Sequence, residues 1–164
     1  MSKYTAITLG NASYGFREYN LKDFFEASKK IGISSVEIDA GWLVGEAKNA
    51  ISLDATPEDI EKVKQIASDA GVKVAALGGG AVVALEGDNA NDQSTEIMKI
   101  IDIADALDAR VIRVFTEHDF AASQHYVLPA ERVTDALYTT LGEAFNKVGE
   151  YAQSKNVSLA IENH

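Results

Sequence analysis

"VSLAIENH", Val157 to His164, reads as a β-strand with two unlike sides. Successive strand side chains point to opposite faces. Leu159 and Ile161 therefore share one face, and Ala160, Glu162 and His164 share the other. The same division recurs upstream. In "SSVEIDA" (34–40), Val36 and Ile38 oppose Ser35, Glu37 and Asp39. In "RVIRVF" (110–115), Ile112 and Val114 oppose Arg113 and Phe115. In "AITL" (6–9), Ile7 and Leu9 oppose Ala6 and Thr8.

Helical patterns separate these strands. "YTAITLG" (4–10) is the first strand, and "NLKDFFEASKKIG" follows with Asn20 as N-cap. "TPEDIEKVKQIASDAG" has Thr56 as cap, Pro57 at the first helical position, Asp59 closing the capping box and Gly71 as stop. "VKVAALGGG" is a third strand running into a tight turn at Gly78–Gly80. "STEIMKIIDIADALDA" turns Ile97, Ile100, Ile101, Ala104 and Leu107 to the core. A long helix is predicted from about Pro129 to Lys155, with Val133, Leu137, Leu141, Phe145, Val148 and Ala152 as its seam.

Strand–helix alternation implies parallel pairing. An open doubly wound sheet of five strands fits the length. Such a sheet is covered on both sides, so both strand faces should be apolar. A (β/α) barrel of TIM type accounts better for one aliphatic and one polar face, because the polar face lines the barrel and builds a site at the C-terminal strand ends. An open sheet also usually ends in a covering helix, and none follows the fifth strand. The expected fold is thus α/β, a parallel TIM-type barrel that is incomplete: four βα units plus a fifth strand in one domain, residues 1–164, truncated at the end of strand five. Its strand order should be 1-2-3-4-5, with the helices on one side.

The 164 residues are 46% hydrophobic and 24% charged, which suits one globular domain with a sizeable core. With no Cys there is no disulfide framework and no thiolate chemistry. No signal-like or membrane-spanning apolar run occurs, so no membrane partner is expected and a cytoplasmic location is the default. The net charge of −10 argues against nucleic acid as a partner.

Side-chain parity gathers Glu37, Arg113 and Glu162 on one interior wall. A buried charge needs a partner or a metal. Glu37 and Arg113 can neutralise each other, which leaves Glu162 as the unpaired carboxylate seeking a cation. "SSVEID", "RVIRVFTEH" and above all "LAIENH" resemble the sugar phosphate isomerase/epimerase family, the xylose-isomerase-like TIM barrels. The resemblance implies a divalent metal such as Mn²⁺ or Mg²⁺, held by a Glu at the end of strand five and by ligands from strands six to eight. That Glu maps onto Glu162, as metal ligand and catalytic acid/base. The other ligands would lie beyond His164, so weak or absent metal binding is expected of this chain alone.

The implied activity is isomerisation or epimerisation of a sugar, sugar phosphate or related polyol, by proton abstraction beside a carbonyl. A dehydratase on the same scaffold is not distinguished from it. Glu37, Trp42, Arg113, His118 and His164 are candidate substrate-binding residues, and Asn11 and Tyr14 are candidates to line the pocket. His125 is expected in solvent. Two alternatives stand beside this one. An endonuclease IV-like phosphodiester hydrolase is opposed by the acidic charge and by "ALGGG", where that family usually has a His ligand. The other is a non-catalytic half-barrel that associates with itself or with a complementing half through its open edges and an apolar inner wall.

Overall fold

The computed structural model describes residues 8–41, 47–82, 89–115 and 134–162. The elements alternate: β1 (Gly10–Ala12), a 3-10 turn (Ser13–Phe16), α1 (Leu21–Lys30), β2 (Ser35–Ala40), α2 (Pro57–Ala70), β3 (Lys73–Val82), α3 (Asn89–Ala106), β4 (Val111–Phe115), α4 (Asp135–Ser154) and β5 (Ser158–Glu162). The five strands pair in parallel in the order β1-β2-β3-β4-β5. This consecutive order is that of a partial (β/α) barrel rather than a doubly wound sheet.

Local chemistry sets the helix ends. The Asn20 side chain accepts from the Asp23 backbone N–H and starts α1. Thr56 and Asp59 form a reciprocal capping box before α2, with Pro57 at the first helical position. Gly71 ends α2 in the left-handed region at φ 66°, a conformation that costs a residue with a Cβ. Ile97, Ile100, Ile101 and Ala104 of α3, and Leu107 just past its end, are all buried as their spacing predicts.

One hydrophobic cluster joins the four helices to the aliphatic strand faces. Phe24 and Phe25 of α1, Ile60 and Val63 of α2, Ile97 and Ile100 of α3, and Val148 and Ala152 of α4 pack with Val36, Ile38, Leu77, Ile112 and Val114. All the helices thus share one side of the sheet. Burying each such Ile or Leu contributes roughly 2 kcal/mol, which fixes strand register and leaves Glu37, Asp39 and Arg113 to the opposite face.

The structure departs from two expectations, and two more fall partly outside the described residues. Gly78–Gly80 form no tight turn but lie inside β3, which runs on to Val82 with a register irregularity against β4 between Gly78 and Val82. The described first strand is Gly10–Ala12, and most of the expected segment 4–10 lies outside the described residues. The last helix begins at Asp135 after a non-helical Thr134, and the expected stretch from Pro129 to Val133 lies outside the described residues. Ile161 is 55% exposed although Leu159, on the same face, packs against the core. The strand β5 pairs only with β4 among the described residues, and α4 covers its first half better than its end.

Candidate active site

Parallel register builds the site row by row. Asp39 pairs with Gly78, Gly78 with Arg113, and Arg113 with Ala160. One row across the inner face therefore reads Asp39, Gly78, Arg113, Ala160. Small residues flank the arginine on both sides, so its guanidinium can lie across the sheet. Glu37 sits two residues before Asp39 on β2, and Glu162 stands beside Phe115 at the C-terminal end of β5.

Arg113 gathers three carboxylates. Its Nε donates to Glu37 Oε1 at 3.0 Å and its Nη1 to Glu162 Oε2 at 3.0 Å. Its Nη2 reaches Asp39 Oδ1 at 3.4 Å. The guanidinium also stands 5.0 Å from the Phe115 ring centroid, a cation–π distance. The side chains of Arg113 and Glu37 are each 22% exposed, Asp39 8% and Glu162 41%. Burial disfavours the arginine's charge, but Glu37, and after it Glu162 and Asp39, outweigh that loss. The guanidinium is held above its ordinary value.

A further shell fixes Asp39. The Ser13 hydroxyl donates to Asp39 Oδ2 at 2.7 Å and accepts from the Asp39 backbone N–H at 3.2 Å. Asn49, fully buried, donates through Nδ2 to the carbonyls of Ser13 and Phe16 and so pins the turn that carries Ser13. Gly78 makes the room. A Cβ there would stand 2.6 Å from both Arg113 Nη2 and Asp39 Oδ1.

Glu37, Arg113 and Glu162 are thus brought together as parity predicts. Glu162 is not the unpaired carboxylate, however. The arginine reaches it as well as Glu37, because the planar fork can serve several acceptors at once. Asn11 does not face the site freely; its Nδ2 donates to Ser28 Oγ of α1 at 2.9 Å. Tyr14 is exposed and stacks with Arg17 at 4.9 Å. Trp42, His118, His125 and His164 lie outside the described residues. Sequence reasoning placed Asp39 on the right face but gave it no role, and it missed Ser13 and Gly78. Only Gly78 left a signal, as a glycine where a strand pattern calls for a side chain.

Among the described residues, no group of three or more His, Cys, Asp or Glu side chains could hold a metal ion. Glu162 could contribute one ligand: Arg113 occupies Oε2, and among the described residues nothing bonds Oε1.

A family model described as xylose isomerase-like TIM barrel matches residues 25–164. The chain belongs to that family. Several solved structures share its fold. It superposes on 3-keto-D-glucoside 4-epimerase YcjR from E. coli with a TM-score of 0.70 at 17% identity, over 95% of this chain and 56% of that one. A D-psicose 3-epimerase crystallised in the presence of D-fructose gives 0.67 at 17% identity, over 96% and 55%. The IOLI protein with a bound zinc atom gives 0.70 at 15% identity, over 96% and 51%. At such identities the likeness concerns the fold. This family member spans about half the length of those structures. No curated protein sequence matches it.

Proposed function

We propose that these residues form the Glu162-bearing part of a divalent-metal-dependent isomerase or epimerase acting on a sugar or related polyol. The observation that carries this is the position of Glu162. It ends β5 on the inner face of a barrel of this family, with one carboxylate oxygen held and the other without a partner among the described residues. The zinc-bearing neighbour and the two sugar epimerases agree with that chemistry.

Glu162 would supply one carboxylate ligand, and the remaining ligands come from outside the described residues. Oxygen donors suit Mg²⁺ or Mn²⁺. When bound, such an ion polarises substrate oxygens and acidifies the neighbouring C–H. This chain's own residues orient the ligand and the sugar. Arg113 holds Glu162 by Oε2. Glu37 presents Oε2 as an acceptor for a sugar hydroxyl, since Arg113 binds its other oxygen. Trp42, His118 and His164, which follow strands two, four and five in the sequence, would serve the substrate. A carboxylate is also a competent base for the proton moved.

The 164-residue chain is expected to bind Mn²⁺ weakly and to show no aldose–ketose turnover, because the described residues supply one ligand and one ligand does not make a catalytic site. Adding strands six to eight of the barrel restores both. In that complete protein Glu162→Gln abolishes turnover and costs less than about 1 kcal/mol of stability, since its ion pair is partly exposed. Titration calorimetry with Mn²⁺, an aldose–ketose assay and urea denaturation measure these. Full activity of the Gln variant would show Glu162 to be structural.

A further inference from the structure

We infer that Arg113 is a built-in cation that keeps a metal ion off the inner wall of the sheet by taking one carboxylate oxygen each from Glu37, Asp39 and Glu162. This rests on the proposed role of Glu162 as a metal ligand.

Three carboxylates from two different strands converge on one guanidinium, at 3.0, 3.0 and 3.4 Å. With all four groups ionised the cluster carries three negative charges and one positive, a net −2. Without the arginine it would carry −3. Carboxylates so close together are unfavourable unless a cation sits among them. A divalent ion with oxygen ligands is the usual alternative to arginine in such a place.

The seat for the arginine is specific. Gly78 leaves no Cβ where Nη2 lies, Phe115 stands against the guanidinium, and Ser13 turns Asp39 toward it. Asp39 is consumed as an anchor: Ser13 binds Oδ2 and Arg113 faces Oδ1. Glu37 and Glu162 each give the arginine only one oxygen. Arginine does not deprotonate in proteins, so this cation stays in place at any working pH. The ion pairs therefore decide which carboxylate oxygens remain for a metal. Asp39 offers none, Glu37 offers Oε2, and Glu162 offers Oε1.

Removing the guanidinium without adding bulk should turn the wall into a metal site. Mn²⁺ binding is measured by broadening of backbone amide signals and by the Mn²⁺-induced rise in melting temperature. The proteins are the wild-type chain, Arg113→Met, Arg113→Lys, Glu162→Gln and the double variant Arg113→Met/Asp39→Asn. Arg113→Met should bind Mn²⁺ roughly tenfold more tightly than wild type, and Arg113→Lys, which keeps the charge, should stay within about threefold. The double variant should lose the gain. If Arg113→Met folds only in Mn²⁺, that rescue is the same result. If it binds no better than wild type, or stays unfolded in Mn²⁺, the inference is overturned. A wild-type Mn²⁺ signal that survives Glu162→Gln overturns the ligand role of Glu162 and the inference with it, whereas an Arg113→Met that binds no better overturns the inference alone.

Discussion

At the scale of single residues, the site depends on what Gly78 lacks. The Arg113 guanidinium crosses β3 at Gly78, and an added methyl would meet both Nη2 and Asp39 Oδ1 at 2.6 Å. Both atoms end side chains, but both are tied by ion pairs and cannot retreat without breaking them. Gly78→Ala should therefore cost about 2 kcal/mol in urea denaturation, in the range of overpacking in a filled interior. A cost below about 0.5 kcal/mol would mean that the cluster rearranges freely. The sequence shows this layer unevenly. Alternation along "SVEIDA" and "RVIRVF" places Glu37 and Arg113 on one face, since period two depends on neighbours in the chain. That Asp39, two strands from Arg113, is also within its reach depends on register across β3. The register against β3 shifts at Val36/Glu37, where Val74 and Ala76 are the successive partners and Ala75 is the extra residue, and no pattern within β2 announces it.

At the scale of elements, the helix signals were read most directly because their causes are local. The box at Thr56 and Asp59 closes within four residues. Thr56 Oγ1 donates to Asp59 Oδ2 at 2.9 Å, and the Thr56 backbone N–H donates to the same oxygen at 3.1 Å. The hydroxyl bond first, and then the backbone bond, hold the Asp59 carboxyl below its ordinary range. A folded-state value below the unfolded one stabilises the chain above the unfolded value, and that stability is lost as pH falls through the folded value. The urea midpoint of wild type should exceed that of Asp59→Asn at neutral pH. The gap should close below about pH 4, where the unfolded aspartate takes up its proton. A constant gap down to pH 3 would show that the carboxylate's charge contributes nothing to the cap. The misread element, the glycine run in β3, failed for the complementary reason. Three glycines suggest a turn on local grounds, but tertiary pairing with β2 and β4 holds them extended.

At the scale of the whole molecule, the two-sided strands were enough to choose a barrel over a doubly wound sheet, because burial of one face by helices is a global property written into every strand. The inner wall is another matter. Where an apolar wall is expected, the described residues show an ion-pair cluster beside Phe115, Val111, glycine and alanine, so the wall is mixed in character. Pressure toward association comes from the edges. The strands β1 and β5 each pair on one side only among the described residues. Exposed apolar side chains stand at both, Leu9 at 69% beside β1 and Ile161 at 55% in β5. An unpaired edge with exposed aliphatic side chains invites strand addition. The 164-residue chain should thus sediment as a concentration-dependent mixture of monomer and oligomer. Ile161→Lys should shift that mixture toward monomer while leaving the melting temperature of the monomer nearly unchanged, since Ile161 is more than half exposed. Sedimentation velocity across a hundredfold range of concentration, roughly the span over which a weak dimer goes from mostly dissociated to mostly formed, distinguishes the outcomes. A single monomeric boundary throughout, with a cooperative melt, would show that the open edges are tolerated in water. Oligomers that persist unchanged in Ile161→Lys would place the contact elsewhere than at the end of β5.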